Sequence, residues 1–382
     1  MTPPVFPLRG IPQHYEWGGY EFIPDLIGTH NRERRPFAEL WIGAHPKAPS
    51  IALLGEHEKP LQEVLPAPLP YLMKILDARQ MLSIQAHPNK AQAEAGFERE
   101  NSQEIPLNAP QRNYKDANHK PEVHVALTDF WMLHGFRDLN DLEFFADIYP
   151  ELRALDRSGG VRGVYEAAMT LPQAEVDAIL NPLLERLEAL PLTRMDPGYW
   201  ALRAARDFPT ADGGRDRGIF CCFLLNLLHL RPGEGTYQPA GVLHAYLEGI
   251  NVELMANSDN VLRGGLTPKH VDVPELLSIL SFHAGPAKIL TGHSLSPALR
   301  VYRTDAEEFE LSCITLTDEI EFKNLAAKGP EALIALEGSA RIESETMAVE
   351  MERGTIAMVQ QDVAYRLETD THAVIYRAAL PG

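Results

Sequence analysis

The chain has 382 residues, of which 45% are apolar and 23% are charged, and its formal net charge at pH 7 is -18. This composition supports a large folded core and excludes a wholly disordered chain, and the length predicts two or three lobes. The acidic balance argues against nucleic acid as a partner, but it is compatible with a small phosphorylated ligand in a local basic pocket.

The first third of the chain alternates short apolar runs with turn residues, a pattern that predicts strands. The predicted strands lie at 37–43, 70–76, 123–127 and 130–136. The last two are expected to pair with each other around Thr128 and Asp129. Residues 89–99 are rich in Ala, Glu and Gln and are predicted to be helical.

Residues 139–208 differ in character and are predicted to form a mainly helical insertion. Leu, Ala, Glu and Arg predominate in this segment. Apolar residues recur at helical spacing on two faces. One face comprises Leu142, Phe145, Ile148 and Tyr149, and the other comprises Val176, Ile179, Leu180, Leu183 and Leu184. The Gly- and Asp-containing segment 210–216 is predicted to be the exit loop.

Strands return from Phe220 onward, with predicted examples that end near Leu230 and at 244–247, 309–314 and 332–338. A short internal repeat joins two of these regions. Gly235-Thr236 precedes His244-Ala245-Tyr246 by nine residues, and Gly354-Thr355 precedes Val363-Ala364-Tyr365 by the same spacing. The repeat predicts two related β-barrel units, with Val363 in the second unit where the first has His244.

The cysteines and the N-terminus predict a protein of a reducing compartment. The three cysteines are an odd number, and the adjacent pair Cys221 and Cys222 does not suit a disulfide framework with Cys313. The first nine residues lack the apolar core of a signal peptide, and the apolar stretch 218–230 is too short to span a bilayer. We therefore expect a cytoplasmic protein that does not bind membranes.

Four polar side chains on three short segments form a candidate metal site. The candidate ligands are Gln85, His87, Glu122 and His244. In a strand, Gln85 and His87 point to the same face. Nitrogen and oxygen donors without thiolate suit zinc, or another borderline metal, in an open catalytic site. Taken singly, each residue also has an ordinary explanation as a polar strand edge, a solvated glutamate or a core histidine.

Charged residues flank these donors along the chain. His119 and Lys120 precede Glu122, and a Gly-flanked loop at 257–265 is followed by Lys269. Arg and Lys are the usual anchors for a phosphate or carboxylate. From residue types alone, however, the loop is better explained as a solvated turn with an exposed ion pair between its charged residues, Asp259 and Arg263. Three other histidines are expected to be structural: His124, His134 and His229.

Four stretches together resemble the type I mannose-6-phosphate isomerases (phosphomannose isomerases), zinc enzymes of the cupin superfamily. They are AELWIGAHPKAPS at 38–50, LPYLMKILDARQMLSIQAHPNK at 69–90, YKDANHKPE at 114–122 and PAGVLHAYLEGINVELMANSDNVLRGGLTPKHVDV at 239–273. The helical segment and the C-terminal part resemble the family in character rather than in motif.

The resemblance implies a mainly β fold with an α-helical insertion, consisting of two cupin (jelly-roll) barrels plus a helical domain. The implied domains are the first part of a catalytic cupin domain at 1–138, a helical insertion at 139–218, the second part of the catalytic domain at 219–290 and a metal-free cupin-like domain at 291–382. A monomer is expected.

The resemblance also implies one zinc ion per chain, held by Gln85, His87, Glu122 and His244. The implied substrate is a small phosphosugar, and the implied reaction interconverts mannose 6-phosphate and fructose 6-phosphate by proton transfer through an enediol. The implied substrate-binding residues are Lys74, Ser83, Tyr246, Glu253 and Lys269, with Ser83 and Lys269 assigned to the phosphate. The implied catalytic residues are Arg263, Lys120, Asp259 and His119.

The base that moves the proton stays open between Lys120 and Arg263, with His119, Glu253 and Asp259 conceivable for some step. Asp259 is expected to orient Arg263 or to assist ring opening. An ordinary Lys or Arg is protonated at neutral pH, so strong perturbation by zinc and its neighbours would be needed for Lys120 to act as a base.

Two other classes of function compete with the isomerase. One is a metal-dependent cupin oxygenase that uses iron or copper, and the other is a sugar-sensing or storage cupin without activity. Within the isomerase class, glucose and unphosphorylated mannose are alternative substrates. The basic residues Lys74, Arg263 and Lys269 favour a phosphosugar.

Overall fold

The computed structural model describes residues 2–156 and 158–381 of a mainly β chain with two sheets and several helices. The strands are β1 Val5–Arg9, β2 Ile11–Gln13, β3 Glu39–Gly43, β4 Ile51–Leu54, β5 His57–Pro60, β6 Tyr71–Ala78, β7 Gln85–Ala86, β8 Glu122–Ala126, β9 Phe130–Phe136, β10 Leu225–Leu230, β11 Gly235–Gln238, β12 His244–Ala256, β13 Leu262–Arg263, β14 His293–Ser294, β15 Leu299–Tyr302, β16 Glu310–Thr317, β17 Phe322–Asn324, β18 Glu331–Ser344, β19 Ala348–Glu352, β20 Ile356–Val359, β21 Tyr365–Glu368 and β22 His372–Ala379. The helices are α1 Phe22–Leu26, α2 Lys90–Ser102, α3 Leu139–Ile148, α4 Gly160–Thr170, α5 Gln173–Glu188, α6 Pro197–Asp207, α7 Cys221–Leu224 and α8 Val273–Ile279.

The strands form two antiparallel sheets within the described ranges. The larger has 12 strands in the order β14-β15-β16-β22-β18-β20-β1-β4-β5, with β17, β19 and β21 attached to it. The smaller has 10 strands in the order β10-β9-β12-β6-β3-β2, with β7, β8, β11 and β13 attached. Because β1 pairs with β20, with Phe6 opposite Met358, the N-terminal strands β1, β4 and β5 lie in the sheet of the C-terminal strands.

Most of the predicted elements are confirmed with shifted ends. The strands predicted at 37–43, 70–76, 309–314 and 332–338 are β3, β6, β16 and β18, and the strand predicted at 244–247 continues to Ala256. The helix predicted at 89–99 is α2. It begins at a capping box in which Asn89 and Gln92 each satisfy a backbone N–H of the other.

The prediction that 123–127 and 130–136 pair with each other is wrong. β8 and β9 pair instead with successive parts of β12 and follow one another along it. The hydroxyl of Thr128 accepts a hydrogen bond from the Ile250 amide at 3.0 Å, so the presumed hairpin turn contacts β12. β12 is irregular here, with a bulge after Tyr246 and Gly249 at φ +130°, where a Cβ atom would lie 2.7 Å from the Asp129 carbonyl oxygen.

The segment predicted to be helical contains α3, α4, α5 and α6. The predicted face of α5, from Val176 to Leu184, is buried throughout. The predicted face on α3 is narrower than expected, because Ile148 at its last turn is 43% exposed. Within the described ranges, no helix has the length and apolar character required to cross a bilayer.

Two apolar clusters fix which way the strands of the smaller sheet face. Ile84, Ala86, Ala245 and Leu262 belong to a core shared with the helical segment. A second cluster, between the two sheets, includes Val123 and Val125 of β8 and Val252 and Leu254 of β12. Successive strand residues point to opposite faces, and burying one large apolar side chain contributes about 1.5–3 kcal/mol. A register slip of one residue would expose these side chains, so their polar neighbours are held on the opposite face.

Candidate active site

Three candidate ligands meet on that opposite face. The ligand atoms of His87, Glu122 and His244 all lie within 4.8 Å of one another, and the three side chains are buried. One carboxylate oxygen of Glu122 lies 3.3 Å from the His87 Nε2 atom, and the other lies 3.3 Å from the His244 Nε2 atom. Among the residues that the structure describes, both Nε2 atoms and the Oε2 atom of Glu122 are buried without a hydrogen-bond partner. Buried polar atoms are normally satisfied, so three converging donors of this kind indicate a metal site.

Backbone carbonyls set the orientation of both imidazoles. The His87 Nδ1 atom lies 2.8 Å from the Asn260 carbonyl oxygen, and the His244 Nδ1 atom lies 3.0 Å from the Val242 carbonyl oxygen. A ring nitrogen that donates to a carbonyl leaves the other nitrogen as a lone-pair donor for a metal. Both rings therefore present Nε2 to the space beside Glu122.

Charge at the site also favours the metal-binding forms. Burial lowers the pKa of His87 to about 4 against the opposing pull of Glu122, so the ring is neutral at pH 7. Burial raises the pKa of the Glu122 carboxyl, but Lys120 and His87 outweigh it and hold that pKa well below its ordinary value. A neutral imidazole and an ionised carboxylate are the forms that bind a metal.

Gln85 lies in the same row of the sheet as His244. Gln85 is the register partner of His244 on one side and of Arg263 on the other. Residues directly opposite each other on neighbouring strands project to the same face. The sheet thus brings together a predicted metal ligand, Gln85, and a predicted catalytic cation, Arg263, which are far apart in the sequence.

Lys120 lies against the candidate ligands. Its Nζ atom is 2.9 Å from a carboxylate oxygen of Glu122, and the side chain is 9% exposed. The adjacent His119 is half-buried and donates through Nε2 to the carboxylate of Glu308. Glu308 was not identified from the sequence, and its distance along the chain from residue 119 leaves no local signal that would have identified it.

The interpretation of 257–265 as a solvated turn with an exposed ion pair is wrong. Asp259 pairs with Lys47 at 2.8 Å and with His45 at 3.6 Å rather than with Arg263. Asn260 is fully buried. Arg263 is in β13, where burial lowers its pKa and no carboxylate of the described residues acts on it. No local pattern singles out Lys47 or His45, although both lie in a stretch that supports the family resemblance.

Asn260 joins this loop to the segment that carries Lys120. Its side-chain oxygen accepts from the Lys115 amide at 2.6 Å, and its side-chain nitrogen donates to the carbonyls of Asp116 and Asn118, each at 2.8 Å. The Asn260 carbonyl also orients His87. A single buried amide thus supports both a candidate ligand and the segment that leads to Lys120.

We expect Asn260→Ala to lower the free energy of unfolding by about 2–3 kcal/mol, because buried backbone groups lose their partners. Zinc affinity should fall about tenfold, because the support of a ligating histidine is loosened. Urea unfolding of the zinc-free protein and zinc titration against a chelator measure the two effects. Asn324→Ala is the matched control, since Asn324 donates to Glu331 in the larger sheet, and it should lower stability without changing zinc affinity. Equal zinc affinity in the Asn260 variant and wild type would contradict this role.

A buried hydrogen-bonded cluster adjoins the candidate ligands. Lys74 contacts Glu253 at 2.9 Å and Glu39 at 3.8 Å, and the Tyr246 hydroxyl donates to Glu253 at 2.8 Å. Burial lowers the pKa of Lys74, but Glu253 and Glu39 outweigh it and raise that pKa above its ordinary value. The Tyr246 ring centroid lies 6.3 Å from that of His244. The three residues predicted from the resemblance, Lys74, Tyr246 and Glu253, therefore form one charged cluster beside the candidate metal ligands.

Two members of this cluster were missed in the sequence. Glu39 accepts a hydrogen bond from the Trp41 indole, and the Lys74 ammonium lies 5.6 Å from the Trp41 ring centroid. The available signal was a carboxylate inside the apolar run of β3, two residues before Trp41 and therefore on the same face. Trp41 is also the register partner of Lys74.

The residues predicted to bind phosphate, Ser83 and Lys269, lie close in sequence to Gln85 and Arg263, respectively. Ser83 precedes Ile84, whose amide donates to the Gly265 carbonyl at 3.1 Å. Burial, and then the neighbouring Arg263, lower the pKa of Lys269. Arg263 and Lys269 are thus close enough to repel each other, which is an arrangement suited to an anionic group.

The histidines expected to be structural have partners within the protein. His124 shares a hydrogen bond with the Thr236 hydroxyl at 2.8 Å, and the Nε2 atom of His134 lies 3.1 Å from the Tyr237 carbonyl oxygen. His229 pairs with Asp129 at 2.9 Å and stacks on Trp131. Within the described residues, His87, Glu122 and His244 form the single metal-competent group of His, Cys, Asp and Glu side chains.

Comparison with protein families and sequences identifies similar proteins over the whole chain. The family model described as phosphomannose isomerase type I, catalytic domain, matches residues 5–139. The mannose-6-phosphate isomerase of Escherichia coli K12 is 33% identical over 368 residues, which cover 91% of this chain and 92% of that protein. The human mannose-6-phosphate isomerase is 30% identical, with 99% of each chain covered.

Solved structures agree with the sequence comparisons. The mannose 6-phosphate isomerase of Salmonella typhimurium, determined with its substrate F6P and a zinc atom bound, has a TM-score of 0.87 to this chain at 30% identity, and 100% of each chain is covered. A zinc-bound mannose 6-phosphate isomerase structure also has a TM-score of 0.87 at 30% identity. The similarity therefore includes both sheets and the helical segment.

Proposed function

The chain belongs to the mannose-6-phosphate isomerase family, and on that basis we propose that it interconverts mannose 6-phosphate and fructose 6-phosphate at the centre formed by His87, Glu122 and His244. The observation that carries the proposal is the convergence of these buried, unsatisfied donors in a chain that is similar to enzymes of this name along nearly its whole length.

We propose Gln85, His87, Glu122 and His244 as the ligands of one zinc ion per chain. The fit rests on two oriented imidazole Nε2 atoms and a carboxylate, with the Gln85 amide on the same sheet face. Nitrogen and oxygen donors without thiolate suit catalytic zinc. When bound, zinc supplies Lewis-acid polarisation of the substrate oxygens.

The remaining polar residues are proposed to hold the sugar phosphate. Ser83 and Lys269 are assigned to the phosphate, supported by the position of Lys269 beside Arg263. Lys74, Tyr246 and Glu253 are assigned to the sugar hydroxyls, since their ammonium, phenol and carboxylate already form one hydrogen-bonded cluster beside His244. Such a fixed cluster orients a polar substrate without reorganisation during the reaction.

Lys120 and Arg263 are proposed to have different roles in the isomerisation: Lys120 as the base at carbon and Arg263 as the cation that stabilises the enediolate. Isomerisation moves a proton between C2 and C1 through an enediol, so it needs a base at carbon and positive charge near the developing enediolate. Lys120 contacts Glu122 at 2.9 Å. We assign Lys120 to the base because this contact places its amine directly beside the proposed metal ligands. Arg263 remains a cation because a guanidinium does not deprotonate in proteins, so we assign it to the enediolate charge.

Asp259 and His119 are proposed to act on the sugar during ring opening. Asp259 is held by Lys47, which keeps the pKa of its carboxyl below its ordinary value despite burial. His119 is held by Glu308. A cavity of about 700 Å³ has in its lining Asn118, the neighbour of His119 in sequence, and Glu308, the partner of His119. We propose this cavity as the route by which a substrate reaches His119.

Metal analysis of the purified protein, paired with a coupled isomerase assay on mannose 6-phosphate, tests this function. We expect one zinc per chain and turnover that continues without oxygen, is lost with a chelator and returns with zinc. A requirement for oxygen and a redox metal would replace the isomerase with an oxygenase. Full zinc occupancy without turnover on mannose 6-phosphate, glucose or unphosphorylated mannose would favour a non-catalytic protein.

We further propose two cupin barrels with the division at 1–138, 139–218, 219–290 and 291–382, in which β1, β4 and β5 of the first segment complete the sheet of the C-terminal barrel. Support comes from the sequence repeat, because in both copies a short strand that begins at or just after the Gly-Thr pair, β11 or β20, is followed by a turn and a further strand, β12 or β21. Cytoplasmic location and a monomeric state stay predictions. The three free cysteines fit the former, and light scattering tests the latter.

A further inference from the structure

A loop from the C-terminal part of the chain reaches the candidate active site. It connects β15 to β16 and covers residues 303–309. Ala306 and Phe309 in this loop are buried in the apolar cluster that also contains Leu40, Met73 and Val123, all from strands of the smaller sheet. These two side chains therefore anchor the loop in the apolar core that it shares with the sheet of the candidate ligands.

Glu308 lies between those two buried positions and contacts His119. One oxygen of the Glu308 carboxylate accepts a hydrogen bond from the His119 Nε2 atom. The side chains are 20% and 29% exposed, respectively, so the pair is mostly shielded from water. Within the described part of the chain the second carboxylate oxygen, Oε2, is buried and has no hydrogen-bond partner. The carboxylate thus directs its interaction at a single imidazole.

This contact determines which nitrogen of His119 carries the hydrogen. An ionised carboxylate only accepts hydrogen bonds, so Nε2 must be the protonated nitrogen of the neutral ring. The Nδ1 atom is then left with its lone pair, free to accept from a hydroxyl group. The same physical arrangement, in which a carboxylate orients an imidazole and selects its tautomer, serves general bases in many enzymes.

We propose that Glu308 is a positioning residue of the active site, which holds the His119 ring and fixes the tautomer whose Nδ1 accepts from a sugar hydroxyl. The inference rests on the proposed function in that His119 lies next to Lys120, which contacts the ligand Glu122. It gives the C-terminal part of the chain, which supplies none of the proposed metal ligands, a role in the reaction that is exerted through His119.

A double-mutant cycle tests the proposal. Glu308→Gln is expected to lower kcat about tenfold with little change in KM and with full zinc content, because the amide keeps the shape but no longer dictates the tautomer. In the His119→Ala background, Glu308→Gln should have no further effect, since the residue that it acts through is gone. Glu307→Gln removes the same charge from an exposed neighbour on the same loop and should leave kcat unchanged.

An equal loss of kcat from Glu308→Gln in both backgrounds would mean that Glu308 acts only on the structure of the loop and would overturn the proposal. An unchanged kcat in the single variant would overturn it as well. A second measurement does not depend on activity. The ring ¹⁵N resonances of His119 are identified by their absence from the spectrum of His119→Ala. At a pH where the ring is neutral, the wild-type resonances should show protonation at Nε2. In Glu308→Gln they should shift toward the values of the other tautomer.

These readouts separate the inference from the proposed function. A wild-type protein that binds zinc but does not isomerise mannose 6-phosphate would refute the proposed function, and the ¹⁵N signature would still decide whether Glu308 sets the tautomer of His119. Wild-type turnover combined with an Nδ1-protonated His119 would refute the inference alone.

Discussion

His244→Ala is expected to abolish stoichiometric zinc binding and to lower kcat by at least about a hundredfold, because even supporting residues of metal sites cost 10- to 100-fold when replaced. His244 is 1% exposed and supplies one of the two Nε2 atoms that face Glu122. Its loss leaves His87 and Glu122 with the weaker amide of Gln85. Metal analysis after dialysis and the coupled assay measure both effects.

The effect of a chelator on the midpoint of thermal unfolding shows whether the loss of zinc binding in His244→Ala is confined to the metal site. Zinc that binds only the folded wild type raises its midpoint of unfolding, so a chelator should lower that midpoint in the wild type and leave the His244→Ala variant unchanged. His283→Ala, at an exposed histidine, is the control and should bind zinc and respond like the wild type. Full zinc content and full turnover in His244→Ala would show that the metal lies elsewhere.

Arg263→Ala is expected to keep its zinc and to lower kcat about 10²- to 10³-fold, the usual cost of removing a group that stabilises developing negative charge. Arg263 is half-buried, and within the described chain no carboxylate acts on it. Its charge is therefore available to the substrate rather than neutralised by the protein. Zinc content, kcat and KM of the purified variant test the assignment.

Arg263→Lys distinguishes charge from shape at this position. A lysine restores the positive charge but not the planar fork of the guanidinium, so partial recovery of kcat is expected. Arg303, which is exposed on the loop 303–309, provides the control for loss of an arginine, and Arg303→Ala should retain wild-type kinetics. Normal kcat in Arg263→Ala would transfer the enediolate role to Lys120.

Local patterns in the chain are enough to identify much of the fold and the site. The spacing of Gln85 and His87 predicts that both project to the same face of a strand, and the structure places the alternate residues Ile84 and Ala86 in the core shared with the helices. The helical spacing from Val176 to Leu184 correctly predicts one buried face. Both patterns depend on short-range backbone geometry, which neighbouring residues specify by themselves.

Contacts between distant segments were beyond such patterns. Thr128 and Asp129 resemble a hairpin turn, yet the strands on either side pair with β12 because its bulge and Gly249 allow it to bend. Asp259 resembles a partner of the nearby Arg263, yet it pairs with Lys47. In each case the predicted partner was close in sequence, whereas the partner in the structure is distant in sequence.

The identity of the donors is therefore a property of the sequence, whereas their convergence is a property of the tertiary structure. The kinds of side chain and their local spacing limit the chemistry to a nitrogen- and oxygen-ligated metal with cations nearby. Only the packing of two apolar clusters decides that Gln85 lies opposite His244 and that Glu308 reaches His119. The physical reason is that strand pairing and core burial stabilise contacts at any sequence separation. Short-range sequence patterns therefore do not specify which distant segment becomes the partner.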